Sequence, residues 1–217
     1  MKMDNYSGWE GYYNSSNAQS IWKEDVESFL IDNSEILLST NKKINVLDIA
    51  CGDGRNTAFF YHNDDIICCV DISETALVKL GRKYPKTIRI CENFINTGLT
   101  NEQFDIVICF DGLPQMEDPS LALNKMIELT KQDGYIVFNL FTPNDCAYGE
   151  GEKIDECTFN FKNTLFKFYT FQQAEMLIPS NVKILKKEVK FWNDPPHGEF
   201  RPYPHQHEAS FFLLKKI

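Results

Sequence analysis

The chain has 217 residues, 43% hydrophobic and 13% aromatic, which is enough apolar surface for one sizeable core and excludes a disordered chain. Lys+Arg 22 against Asp+Glu 31 leaves a formal charge of −9, so phosphate backbones and anionic lipid are repelled and neither nucleic acid nor a membrane surface is an expected partner. No apolar run approaches the roughly 18 residues of a membrane span, and the polar stretch from Met1 to Trp9 lacks the apolar core of a secretory leader, so a cytoplasmic location is expected.

Residues 1–40 set Tyr6, Trp9, Tyr12, Tyr13 and Trp22 in polar surroundings and predict an N-terminal cap of one or two helices. Short apolar runs then alternate with helix-like stretches, the pattern of a parallel sheet covered by helices. Strands are expected at 44–50, 66–70, 88–91, 104–110 and 135–141, and helices at 55–61, 74–83 and 119–130. Leu121, Met126 and Leu129 are taken as the buried side of the third helix. Lys131-Gln132-Asp133-Gly134 reads as the turn from that helix into the fifth strand.

Beyond Phe141 the composition shifts to Pro, Asn, Gly and acids, and 142–158 reads as a long surface loop. A helix at 171–177 and strands at 182–192 and 209–214 follow. The loop expected between those strands, 193–208, holds Arg201 and three of the four histidines, His197, His205 and His207. With no repeat and no linker, one domain over 1–217 is expected, divided into the cap, a ligand-binding half at 41–141 and a substrate-side half at 142–217. The seven cysteines form no C-x-x-C pair, which argues against a disulfide framework or a zinc ribbon. Cys68, Cys69, Cys91 and Cys109 lie in strand-like runs and read as small buried hydrophobes.

Asp48-Ile49-Ala50-Cys51-Gly52-Asp53-Gly54 joins the first strand to a helix, the place where α/β sheets bind nucleotide-like ligands. The third glycine of a dinucleotide fingerprint is missing. Asp48 and Asp53 would repel a pyrophosphate but suit a ligand with positive charge. Asp71 ends the second strand, where such folds hydrogen-bond ribose hydroxyls.

Val46 to Gly54 followed by Val70-Asp71, then Phe104-Asp105-Ile106-Val107-Ile108-Cys109-Phe110 with Asp118-Pro119, then Lys131 to Val137, resembles the ordered motifs of the class I S-adenosylmethionine-dependent methyltransferases. The resemblance implies a Rossmann-like seven-stranded sheet, mostly parallel with an antiparallel last strand and helices on both faces. It also implies S-adenosyl-L-methionine as methyl donor, held by Asp48, Ala50, Gly52, Gly54, Arg55, Asn56, Asp71, Ile72, Asn93, Phe94 and Phe110. Ala50 departs from the family's usual glycine. Asp194-Pro195-Pro196-His197 imitates a DNA-methyltransferase motif but follows the wrong strand.

The glycine loop with the late histidines resembles the tellurite-resistance branch of the family, which implies a small-molecule acceptor served by His197, Arg201, His205 and His207. Arginine and charged histidines suit a tellurite- or selenite-like oxyanion. A metabolic amine or hydroxyl would instead use a histidine as general base. A donor-binding protein without turnover is the remaining alternative. His205 and His207 share a face if extended, but without a clear third ligand beyond His197 or Asp194 no metal is expected. A monomer or homodimer is expected.

Overall fold

The computed structural model describes residues 5–15, 25–39, 42–61, 65–196 and 201–217. Three helices, α1 (Asn5–Asn14), α2 (Ser28–Asp32) and α3 (Ser34–Leu37), precede the sheet. Then come β1 (Asn45–Ile49), α4 (Thr57–Phe60), β2 (Ile66–Asp71), α5 (Glu74–Lys83), β3 (Ile88–Cys91), β4 (Phe104–Cys109), α6 (Pro119–Leu129) and β5 (Thr130–Phe141). A small antiparallel sheet of β6 (Glu152–Lys153), β7 (Thr158–Phe161) and β8 (Thr164–Lys167) follows, then α7 (Phe171–Met176), β9 (Val182–Asp194) and β10 (His205–Lys216).

The main sheet runs β3-β2-β1-β4-β5-β10-β9, parallel from β3 to β5, with β10 antiparallel to both of its neighbours. This is the seven-stranded class I methyltransferase sheet that the motif order implies. Its central strands are buried on both faces, so consecutive residues feed opposite cores. Val46, Ile106, Val137 and Phe211 serve one, and Leu47, Val107, Ile136 and Phe212 the other. No helix among the described residues is long and apolar enough to cross a membrane.

Several elements differ from the sequence reading. The fifth strand starts at Thr130, because the expected turn is a bulge inside it, with Asp133 at φ 64° and a register shift between Phe104 and Ile106. Leu121 is exposed, since α6 turns Ala122, Leu123, Met126 and Ile127 to the core. Cys91 is exposed because β3 is the edge of the sheet, whereas Cys68, Cys69 and Cys109 are buried as expected. The 142–158 loop contains β6. Asn193, Asp194 and 205–208 are strand residues, which narrows the expected loop to the hairpin connection between β9 and β10. Trp22 and His197 lie outside the described residues.

Candidate active site

At the carboxyl edge of the parallel strands lies a cavity of about 720 Å³. Its wall includes Asp48, Ala50, Gly52, Arg55, Asn56, Asp71, Ile72, Asn93, Phe94 and Phe110, brought together from the ends of β1, β2, β3 and β4. Trp9 and Tyr13 of α1 form another part.

Gly52 has φ 54°, and a Cβ there would run into the Tyr13 hydroxyl. Its glycine identity is thus required by a close approach as well as by the backbone. Gly54 does not line the cavity. A side chain on it would meet Tyr84 and Leu80, so this glycine lets the loop pack on α5 and makes no room for a ligand. Ala50, at φ 53°, adopts the left-handed backbone that its family position normally gives to glycine.

The two strand-end acids are held differently. Asp71 accepts the Gly52 N–H at 2.8 Å and the Ser73 N–H at 2.9 Å, tying the glycine loop to the start of α5, and burial still moves its carboxyl upward. Asp48 accepts a 2.6 Å hydrogen bond from the Thr57 hydroxyl, and burial pushes its carboxyl up to about 7. Asn93 caps the short turn at Phe94–Asn96, accepting the Ile95 N–H at 3.0 Å. Across the cavity Arg55 pairs with Asp111 at 2.9 Å, and Asp111 is fixed by two hydrogen bonds to Asn139 of β5.

His205, His207 and Arg201 come together, but none lines this cavity. They form a separate buried cluster at the start of β10 with Asp145 and Cys146 from the preceding long loop. His207 Nδ1 lies 2.8 Å from Asp145 Oδ2 and 3.8 Å from Cys146 Sγ. Burial disfavours the charged imidazole, but these hydrogen bonds outweigh it and raise His207 to about 10. Arg201 donates to Cys146 Sγ at 3.3 Å and pairs with Glu150 at 2.8 Å. Asp145, Cys146 and Asn139 were missed from the sequence, because nothing local in a loop or an apolar strand marks a residue whose partner lies 28 positions away, as for Asn139, or 61 and 62, as for Cys146 and Asp145.

Residues 47–138 match the family described as "Methyltransferase domain". The ubiquinone biosynthesis O-methyltransferase of Coxiella burnetii is 25% identical over 114 residues, half of this chain, and the aligned part spans about half (48%) of that relative. Among solved structures, an S-adenosylmethionine-dependent methyltransferase from Methanosarcina mazei has TM-score 0.70 at 15% identity, covering 89% of this chain and 99% of that one. A 1,6-didemethyltoxoflavin-N1-methyltransferase from Burkholderia thailandensis, with its acceptor and S-adenosylhomocysteine bound, has TM-score 0.61 at 16% identity, covering 88% and 79%. With its motifs in order on this sheet, the chain has the class I methyltransferase fold and, over residues 47–138, matches the methyltransferase-domain family.

Proposed function

We propose that the chain transfers the methyl group of S-adenosyl-L-methionine to a small neutral or cationic acceptor through nitrogen or oxygen. The observation that carries this reading is the charge of the cavity wall. Its described residues include Asp48, Asp53, Asp71, Glu92, Asp111, Glu117 and Asp118 against Arg55; with Arg55 paired to Asp111, Asp53 paired to Lys83 and Asp48 pushed up to about 7 by burial, Asp71, Glu92, Glu117 and Asp118 remain in excess. Such a wall favours a cationic sulfonium and disfavours an anion. A tellurite-like oxyanion would need cationic donors, and Arg201 is committed to Glu150 outside the cavity.

The proposed division of labour follows from placement. Asp71 takes the ribose hydroxyls, Asp48 and the turn at Gly52 hold the methionine end, and Asn93 and Phe94 border the adenine. The acceptor enters on the side of Phe110 and Asp111, where Asp111 orients or relieves it of a proton. Methyl transfer is an in-line displacement in which the sulfonium charge disappears, so alignment and exclusion of water are most of what the protein supplies. The related structure with bound toxoflavin precursor supports a small heterocyclic or amine acceptor on this fold. The seven free cysteines are consistent with a reducing, cytoplasmic setting.

The test is release of S-adenosylhomocysteine, followed by mass spectrometry, with panels of amines and hydroxyls on one side and tellurite and selenite on the other. Turnover is expected only with the first panel. Methylated chalcogen would overturn the acceptor class, and donor binding without turnover on any acceptor would identify a binding protein.

A further inference from the structure

The cluster at the start of β10 is unused by the chemistry of the donor cavity. One ligand atom each from Cys146, His205 and His207 lies within 4.8 Å of the others, and both histidines are buried. They come from segments 59 residues apart (205 − 146), so no local turn explains the convergence.

Both imidazoles are oriented through Nδ1. His207 Nδ1 faces the Asp145 carboxylate at 2.8 Å, and His205 Nδ1 faces the Tyr203 carbonyl oxygen at 2.9 Å. Both partners can only accept, so each Nδ1 carries the hydrogen, and Nε2 is the ring nitrogen that could coordinate an ion. A carboxylate or carbonyl behind Nδ1 is the usual support of a metal-binding histidine. Asp194 Oδ2 lies 3.9 Å from His207 Nε2. Arg201 donates to the Cys146 sulfur at 3.3 Å, which helps to fix the sulfur beside the two imidazoles.

We propose that Cys146, His205 and His207 bind one borderline transition-metal ion, zinc in the first instance, with Asp194 the nearest acid for a fourth position. A tetrahedral zinc ion with Zn–S about 2.3 Å and Zn–N about 2.0 Å sets ligand atoms about 3.3–3.6 Å apart, so the cluster has to contract by up to about 1.5 Å. The ion replaces the thiol proton and any proton on Nε2, and binding therefore releases protons. Two borderline imidazoles and a soft thiolate select zinc, cobalt or copper over magnesium or calcium. One thiolate and Asp194 neutralise the dication, while the Arg201–Glu150 pair and Asp145 surround it.

The test is a cobalt titration of the full chain, stripped of metal and kept reduced. It does not depend on methyl transfer. One equivalent of cobalt should give a thiolate-to-cobalt charge-transfer band with tetrahedral d–d bands, all displaced by zinc. Cys146→Ser should abolish the charge-transfer band, His205→Gln should weaken binding at least about tenfold, and Cys157→Ser should change neither. Absence of the charge-transfer band in the parent at one equivalent overturns the proposal, as does its retention in Cys146→Ser. If Cys146→Ser fails to fold, parental cobalt affinity in a folded His205→Gln overturns it equally.

Discussion

The methyl group of Ala50 fills the space in which Gly112 would place a side chain. The loop after β1 and the loop after β4 are matched at this point, alanine facing glycine. Gly112→Ala should therefore lower stability by roughly 1–3 kcal/mol through overpacking against Ala50 and the Cys109 sulfur. Ala50→Gly removes both the clash and the positive-φ strain, and should by itself gain about 1 kcal/mol. Chemical denaturation of the two single variants and the double variant should give a coupling energy well above the additivity limit of about 0.5 kcal/mol.

Asp71 joins the glycine loop to α5 and is proposed to meet the ribose. Asp71→Ala should weaken S-adenosylhomocysteine binding by roughly 1–3 kcal/mol, read by calorimetry. Unchanged affinity removes Asp71 from the donor site.

The pH dependence of stability carries the signature of Asp48. Its carboxyl titrates near 7 in the folded chain against 3.8 as the ordinary value, because burial disfavours the charge. The folded state thus holds a proton that the unfolded chain releases between about pH 4 and 7. Stability is highest below that window, falls as pH rises through it by at most roughly 4 kcal/mol, and levels off above it. Asp48→Asn, which can still accept from Thr57, should flatten this slope in urea unfolding followed from pH 5 to 8.

Asp145 orients His207 without belonging to the proposed ligand set. Asp145→Asn should weaken zinc binding by about 10- to 100-fold while leaving the thiolate-to-cobalt band in place at saturating cobalt. Loss of that band altogether would make Asp145 a ligand.

The parallel strands β1 to β4 were legible because they are short runs rich in apolar residues closed by glycines or acids, a local signal. Asp48 and Asp71 were legible for the same reason, since a strand-end acid stands out against valine and isoleucine. Gly54 shows the limit: its spacing is that of a ligand-contacting glycine, yet the atoms across from it are Tyr84 and Leu80, which only packing reveals. The histidines looked like a loop because Pro202 and Pro204 stand just before them, while β10 begins directly after at His205. Cys146 could not be paired with them in advance, as hydrogen bonds from the backbone of Cys146 and Thr142 to Gln206 and Glu208 set their meeting.

Helix α1 lines the cavity through Trp9 and Tyr13, with the Tyr13 hydroxyl over Gly52, and Glu10 clasps it to α5 by accepting from Ser73 and Thr75. If the donor binds in this cavity as proposed, loosening that clasp is expected to shorten its residence time, so Glu10→Ala should raise the dissociation rate of S-adenosylhomocysteine more than it changes methyl transfer in the bound complex.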